Sequence, residues 1–393
     1  MRSSWALPSD PSSRLYKAYC MDEVFQVAII FVVAFAVTFA MVPVSKRIAV
    51  KIGAIDYPSN RRLNVGPMPR CGGIALYVGF LSGFAVVFLG ERFFGWNVVD
   101  LYLIPDINYL LLFVGVTFMF TVGLIDDIMQ LSALAKLCGQ IAAAIIVVIS
   151  GVSIGMLQTV SESSYIDLGW FNYPLTVIYL VIFVNAINLI DGLDGLAAGI
   201  VAIFSLSLLF LVLQRGNFSL VAVCVILVAI CAAFLRFNFF PASIFMGDSG
   251  SLLLGLLIGI VSIAGVIRTQ SLVVLLVPFV ISGVPLLDVL SAIVRRRRIK
   301  RPIQEGDLEH IHHRLLKSGL SQRRSVALLY FCSVILAVCG VMIGYFSGIV
   351  QWVVLFALAI AVFFVIWKFG LFKPVLKHYY DNKGRRGPRG PRS

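Results

Sequence analysis

Charged side chains are scarce in this 393-residue chain. They make up 13% of its residues, against about 25% in ordinary soluble proteins, while hydrophobic residues make up 60%. Apolar runs of about 18 residues or more, each long enough to cross the hydrocarbon core of a bilayer, recur along almost the whole length. This composition excludes an ordinary soluble globule and predicts an all-α, polytopic membrane protein.

Cysteine is also rare, and familiar nucleotide-binding motifs are missing. The seven cysteines include no Cys-x-x-Cys pair, which argues against a disulfide framework and against zinc. No Gly-x-x-x-x-Gly-Lys-[Ser/Thr] loop and no Gly-x-Gly-x-x-Gly fingerprint occurs, so neither an ATP-driven pump nor a Rossmann enzyme finds support. Basic runs such as 295–301 flank apolar spans and lack interleaved aromatic residues, which argues against nucleic acid and favours membrane lipids as partners.

The apolar runs predict about eleven transmembrane helices, at 24–44, 71–90, 108–125, 131–149, 173–190, 196–213, 219–235, 250–267, 271–294, 325–345 and 351–367. Most of the 32 Lys and Arg residues fall in alternate connecting segments, and the positive-inside rule then gives an N-out, C-in topology. We expect a periplasmic N-terminal segment 1–23, a transmembrane domain 24–367 and a basic, disordered cytoplasmic tail 368–393.

Under this topology the polar motifs converge on the cytoplasmic side. A charge at the bilayer centre costs roughly 2.5–3.5 kcal/mol on insertion scales, so ionisable residues near membrane depth are functional candidates. The outside loops hold only scattered acids without glycine or histidine companions. We therefore predict a single active site built from cytoplasmic loops, which contain Asp56, Asp126, Asp127, Asp191, Asp194, Asp248 and three histidines.

Two motifs carry adjacent or closely spaced carboxylates. The pair Asp126-Asp127 suits a hard cation such as Mg²⁺ or a general base, and Lys136, early in the next span, could reach a phosphate or simply snorkel to the interface. The stretch 185–195, Asn-Ala-Ile-Asn-Leu-Ile-Asp-Gly-Leu-Asp-Gly, places Asp191 and Asp194 on one face if it is helical. Its alternative interpretation is a polar turn between two spans.

Two further motifs lie in later loops. In 245–251, Phe-Met-Gly-Asp-Ser-Gly-Ser, an aromatic ring could stack on a base while Asp248 holds a metal, although a polar helix start would explain the pattern too. The run His310-Ile-His312-His313-Arg314 offers donors for a diphosphate, the alternative being a solvated loop. Zinc is disfavoured there because no cysteine partner exists.

In this order the motifs resemble the polyprenyl-phosphate N-acetylhexosamine-1-phosphate transferases, over about 42–320. The His-Ile-His-His run is similar to the branch that uses UDP-N-acetylglucosamine, and the segment 56–62 with Gly72-Gly73 also matches. The resemblance implies transfer of a phospho-sugar from a UDP-N-acetylhexosamine to undecaprenyl phosphate, with release of UMP, at the inner membrane of a bacterium. The product would start a cell-envelope polysaccharide such as O-antigen or teichoic acid.

The resemblance also implies residue roles. Asp126 and Asp127 would lie at the lipid phosphate, one of them as the base, while Asp248 and Asn188 would hold Mg²⁺, with Mn²⁺ as a substitute. The expected substrate-binding residues are Asp56, Lys136, Asn185, Asp191, Asp194, Phe245, His310, His312, His313 and Arg314.

Several alternatives stay open at this stage. Attack could be direct or could pass through a covalent phospho-sugar on an aspartate. The acetamido sugar is undetermined, and a homodimer is one of the open oligomeric states. A secondary transporter of an anionic solute would also place acids within a helical bundle, but it would place charges near the midplane rather than on one face.

Overall fold

The computed structural model describes residues 11–57, 66–96, 107–158, 165–214, 218–266, 276–298, 315–316, 319–346 and 348–369. The predicted histidine cluster, with His310, His312, His313 and Arg314, lies outside the described residues. So do the first ten residues and nearly all of the basic tail.

The described chain is built almost wholly from helices. Their bounds are α1 Pro11–Ile52, α2 Gly72–Phe94, α3 Tyr109–Met129, α4 Ala133–Ile149, α5 Asn172–Ile190, α6 Leu196–Gln214, α7 Phe218–Asn238, α8 Gly247–Val266, α9 Leu276–Ile281, α10 Gly283–Arg298, α11 Gln322–Tyr345 and α12 Ile349–Phe369. A 3₁₀ turn, Gly169–Phe171, precedes α5.

Two short antiparallel pairs complete the secondary structure of the described residues. Strand β1 (Ile55–Asp56) pairs with β2 (Met68–Pro69), and β3 (Met156–Gln158) pairs with β4 (Tyr165–Asp167). The first pair matters for function because β2 leads directly into Arg70 and the start of α2.

Eight helices in the described part of the chain are long and apolar enough to cross a membrane, and α4 and α12 contain shorter apolar stretches. Each of the eleven predicted spans overlaps a helix, and the helical, polytopic class is confirmed; the number of eleven transmembrane helices, the N-out, C-in orientation and the cytoplasmic position of the loops stay predictions. One span differs in form. Within 271–294 the chain turns at Ser282 between α9 and α10, next to Gly283 and Pro285. Proline and glycine favour such an interruption because they suit helix starts and turns better than helix interiors.

Helix α8 is the centre of the bundle. Every residue of its apolar 18-residue window is buried, and α3 and α5 pack along it. The run Leu252–Leu254 is fully buried although its three side chains point in different directions. A helix that is apolar on all sides is stable only when other helices cover all its sides, and α8 meets that condition.

Capping residues fix where the functional helices begin and end. Asn108 accepts a hydrogen bond from the Leu111 amide at 3.0 Å at the start of α3, and Ser132 accepts one from Ala135 at 3.2 Å at the start of α4. Between the two helices Gln130 adopts a left-handed φ of 52°, which allows a connection of only three residues. The chain thus returns to the bundle at once, and the end of α3 lies beside the start of α4.

Candidate active site

Five charged residues from four parts of the chain meet where helices end. We call Arg70, Asp126, Asp127, Lys136 and Asp248 the charged cluster. Arg70 precedes α2, the two adjacent aspartates close α3, Lys136 lies in the first turn of α4, and Asp248 begins α8. The three carboxylates are buried, so their partners must compensate for the lost hydration.

Asp127 holds the start of α8. Its Oδ1 accepts the Asp248 amide at 2.7 Å, and its Oδ2 accepts the Ser249 amide at 3.0 Å and the Ser249 hydroxyl at 2.6 Å. The Arg70 Nε lies 3.1 Å from Oδ1. A carboxylate at a helix N-terminus satisfies amides that have no partner within the helix and complements the positive end of the helix dipole. Asp127 is therefore an N-terminal cap supplied by another helix.

Glycines make this contact between α3 and α8 sterically feasible. A Cβ on Gly123 would lie 2.5 Å from the Asp248 carbonyl oxygen, so only glycine lets the two backbones approach so closely. Gly247 has a φ of +74°, and a Cβ there would lie 2.6 Å from the Asp127 carboxylate. These two glycines place the capping carboxylate directly over the first turn of α8.

Asp248 is bound on both of its oxygens. Its Oδ2 pairs with the Arg70 guanidinium, while its Oδ1 lies 2.6 Å from the Lys136 Nζ and accepts a hydrogen bond from the Asn188 amide group. The same Asn188 nitrogen also donates to the Ser251 hydroxyl at 2.8 Å, one turn further along α8. Asn188, at the end of α5, therefore fixes the side chain of Asp248.

Lys136 lies at the point where three oxygens converge. Its Nζ is 2.6 Å from Asp248 Oδ1, 3.0 Å from Asp126 Oδ2 and 3.1 Å from the carboxamide oxygen of Asn188. The other Asp126 oxygen accepts the Leu131 amide at 2.7 Å. A single ammonium thus links carboxylate and amide oxygens from α3, α5 and α8.

Arg70 is a member of the cluster that no sequence motif indicates. The β1–β2 pair positions it, and a bridge to Phe245 ties its backbone to the segment before α8, where the Phe245 amide donates to the Pro69 carbonyl at 2.9 Å. Burial alone would lower the pKa of Arg70, but the carboxylates of Asp248 and Asp127 outweigh burial and raise it. The available signal was a basic residue directly before the Cys-Gly-Gly at the start of α2, separated from the other basic residues of its segment.

The turn between α5 and α6 carries the two aspartates of the 185–195 motif. Burial, with the nearby Asp248 carboxylate, raises the pKa of Asp191 well above its ordinary value. Burial also raises the pKa of Asp194, although its carboxylate accepts the Ala242 amide at 3.0 Å. The Tyr330 hydroxyl of α11 donates to the Gly195 carbonyl at 2.5 Å and so anchors the turn.

Three other predicted residues have different surroundings. The side-chain nitrogen of Asn185 donates a hydrogen bond to Gln140 Oε1 of α4 at 2.7 Å, and not to a member of the charged cluster. Asp56 is buried on β1 opposite Met68, and Phe245 is partly buried with its backbone bonded to the end of β2. Their expected roles in substrate binding stay predictions, as do those of the histidine cluster outside the described residues.

The donor set fits a magnesium ion better than a zinc ion. Among the residues that the structure describes, no group of three or more His, Cys, Asp or Glu side chains is arranged to hold a metal. Mg²⁺ usually takes one or two carboxylates and completes its shell with water and substrate phosphates. Asp126, Asn188 and Asp248 offer such a partial set, and a cationic nitrogen, Lys136 Nζ, already lies among their oxygens.

Comparison with known proteins assigns the chain to a family. Residues 109–266 match the sequence profile of glycosyl transferase family 4. The chain is 36% identical over 344 residues to a "Probable undecaprenyl-phosphate N-acetylglucosaminyl 1-phosphate transferase" of Bacillus subtilis, covering 88% of this chain and 91% of the relative. It is 35% identical over 336 residues to "Decaprenyl-phosphate N-acetylglucosaminephosphotransferase" of Mycolicibacterium smegmatis, covering 78% and 79% of the two chains.

A more distant relative points the same way. The chain is 27% identical over 352 residues to "Undecaprenyl-phosphate alpha-N-acetylglucosaminyl 1-phosphate transferase" of Escherichia coli K12, covering 86% of this chain and 92% of the relative. The apolar helices and this similarity define a multi-pass membrane protein that is a phospho-sugar transferase. The chain belongs to glycosyl transferase family 4, as a polyprenyl-phosphate N-acetylhexosamine-1-phosphate transferase, which confirms the family resemblance.

Proposed function

We propose that the protein transfers N-acetylglucosamine 1-phosphate from UDP-N-acetylglucosamine to undecaprenyl phosphate and releases UMP. An oxygen of the lipid phosphate attacks the sugar-bearing phosphorus, and the bond from that phosphorus to the oxygen of UMP breaks. One diphosphate bond replaces another, so the reaction needs no ATP. The charged cluster carries the proposal, because it joins two cations to buried carboxylates at helix ends in a chain of this family.

Asp248, Asn188 and Asp126 would hold Mg²⁺, because their oxygens already converge on one cation. When bound, the metal supplies positive charge that offsets the negative charge of the transferring phosphoryl group. Asp248 contributes to this site only if its carboxylate keeps its orientation, which Arg70 and Asn188 stabilise.

Of the two adjacent aspartates, Asp126 is the better candidate for the base. The Asp127 side chain is 0% exposed, and three hydrogen bonds and Arg70 occupy both of its oxygens. The Asp126 side chain is 8% exposed, and its two oxygens face one hydrogen-bond donor, the Leu131 amide, and one cation, Lys136 or the Mg²⁺ that would replace it, so fewer groups compete for a proton there than at Asp127. A phosphate monoester carries at most one proton near neutral pH, since its second pKa is about 6, so the base would remove only that proton.

Lys136 and Arg70 would neutralise charge on the diphosphate as the bond to UMP breaks. Both lie within the cluster and both are only partly exposed, 17% and 22% for their side chains. Fixed positive groups in a site of limited water access stabilise developing negative charge more than they would in bulk water. We assign no covalent intermediate, because direct attack by the lipid phosphate needs only these positioned groups.

Asp191, Asp194 and Phe245 would contact the nucleotide, with the histidine cluster near the sugar or the diphosphate. The turn that carries both aspartates lies close enough to the cluster for Asp248 to influence the pKa of Asp191. The polyprenyl tail would lie among the helices while its headgroup meets the soluble nucleotide at the cytoplasmic face of a bacterial inner membrane. The product would start a cell-envelope polysaccharide.

Purified protein incubated with undecaprenyl phosphate, Mg²⁺ and a panel of UDP-sugars tests this proposal by measuring UMP. We expect UMP release with UDP-N-acetylglucosamine that requires the lipid. A clear preference for UDP-N-acetylgalactosamine would contradict the donor assignment, and UMP release without lipid would contradict the transfer reaction. A matched reaction with UDP-glucose controls for the acetamido group.

A further inference from the structure

The position of the Lys136 ammonium has a consequence for metal binding. Its Nζ lies 2.6–3.1 Å from three oxygens, which belong to Asp126, Asn188 and Asp248. These are the same oxygens that the proposed function assigns to Mg²⁺. No second set of three oxygens around a cation is found among the ion pairs of the described residues.

A lysine ammonium and Mg²⁺ cannot share this position. Mg²⁺ binds oxygen at about 2.0–2.1 Å and accepts little deviation from octahedral geometry. An ammonium left about 3 Å from the same three oxygens would lie inside the first shell of the metal, where like charges repel strongly. One of the two cations must therefore leave when the other binds.

Resting on the proposed function, we propose that the Lys136 ammonium occupies the metal position of the substrate-free protein and that Mg²⁺ binds by displacing it. The displaced ammonium has lost its three oxygen partners and is free to pair with another anion. The diphosphate of a nucleotide sugar supplies such an anion. Metal and diphosphate consequently bind with positive cooperativity. The metal frees the ammonium to pair with the diphosphate, and the diphosphate provides a partner for the ammonium that the metal displaces.

Arg70 provides an internal contrast. It also carries one positive charge and also contacts Asp248, but through Oδ2, and its other contact is the capping Asp127. Removal of either cation makes the site more negative. Only removal of Lys136 vacates the position among the three oxygens, so the two substitutions should differ in their effect on metal affinity.

Isothermal titration of MgCl₂ into purified wild-type protein, Lys136→Met and Arg70→Met, without lipid or nucleotide, measures this difference. We expect Lys136→Met to bind Mg²⁺ about tenfold or more tighter than wild type, and Arg70→Met to gain clearly less. Equal gains in both variants, or no gain in Lys136→Met, would overturn the displacement while leaving the transfer reaction intact. Absence of Mg²⁺ binding by all three proteins would overturn both the displacement and the metal assignment of the proposed function.

A measurement on the wild-type protein avoids any folding defect of the variants. Brief labelling with an amine-acylating reagent, followed by peptide mass spectrometry, reports how accessible each lysine is. We expect MgCl₂ to increase labelling of Lys136 several-fold relative to an equal ionic strength of NaCl, while exposed Lys51 of α1 stays unchanged. Unchanged labelling of Lys136 at saturating Mg²⁺ would overturn the displacement.

Discussion

The different hydrogen-bond partners of Asp126 and Asp127 predict that the two residues tolerate substitution differently. Both residues close α3, and neighbouring carboxylates are easily regarded as equivalent. The Asp127→Asn substitution keeps the shape of the side chain but turns one carboxylate oxygen into a donor. Each Asp127 oxygen faces two donors, so either orientation of the new amide leaves one pair of donors without an acceptor. The Arg70 guanidinium also loses one of its two ionic partners.

The expected cost follows from these contacts. Breaking a buried, hydrogen-bonded ion pair by removing one partner costs about 3–5 kcal/mol. Asp126→Asn is the matched control, because Asp126 accepts one amide and faces one ammonium, while the neighbouring Asp248 carboxylate repels its charge. Loss of one charge-assisted hydrogen bond costs about 1.5–3 kcal/mol. Asp127→Asn should therefore destabilise the fold clearly more than Asp126→Asn does.

Thermal denaturation in detergent, followed by size-exclusion chromatography of the soluble fraction, measures this difference. We expect a loss of several degrees in apparent Tm for Asp127→Asn and a smaller loss for Asp126→Asn. UMP release by the surviving folded Asp126→Asn should nevertheless fall by about 10²–10⁴-fold, the usual contribution of a positioned base. Equal Tm values, or wild-type turnover by Asp126→Asn, would refute the reasoning.

Three further predictions concern the surroundings of the cluster. Tyr330→Phe removes the hydroxyl that donates a hydrogen bond to the Gly195 carbonyl, so the KM for the UDP-sugar should rise about fivefold with little change in kcat. An unchanged KM would show that this hydrogen bond does not anchor the turn. Gly123→Ala places a Cβ 2.5 Å from the Asp248 carbonyl oxygen, so apparent Tm should fall, whereas a wild-type Tm would show that α3 and α8 can separate freely. Burial, with the Asp248 carboxylate, raises the pKa of Asp191, so the wild-type protein loses stability as pH rises through the folded pKa of this residue. The Tm of Asp191→Asn should therefore exceed the wild-type Tm at neutral pH, and the two Tm values should become equal below the unfolded pKa of about 3.8. Tm measured against pH for both proteins tests this, and a difference that does not change with pH would contradict it.

The helices could be predicted from the sequence because bilayer-length apolar runs leave few other structures possible. All eleven predicted spans overlap helices for this reason. The turn at Ser282 was not predicted, because hydropathy is averaged over a window and does not detect one residue that interrupts a helix. The β1–β2 pair escaped as well, since two strands of two residues each carry no periodic pattern.

The site was predictable as a set of motifs but not as a network. The sequence indicates that Asp126, Asp127 and Asp248 lie near helix ends, whereas contacts between residues more than a hundred positions apart depend on tertiary packing. Arg70 shows the limit most clearly. Together with the other basic residues of its segment, Arg70 indicates only which side of the membrane the segment lies on. Its contacts with two carboxylates depend on the assembly of α2, α3 and α8. The capping role of Asp127 has the same origin.

Asp248 gives the most direct test of the account as a whole, because it joins Arg70, Lys136 and Asn188 in one site. The measurement is UMP release from UDP-N-acetylglucosamine and undecaprenyl phosphate over a titration of MgCl₂. Wild type is compared with Asp248→Asn protein that elutes as folded protein in size-exclusion chromatography. We predict turnover by wild type that depends on Mg²⁺ and stops with excess chelator, and a loss of about 10²-fold or more in the variant at every concentration. Wild-type-like turnover by Asp248→Asn, or full activity in chelator, would contradict the central claim.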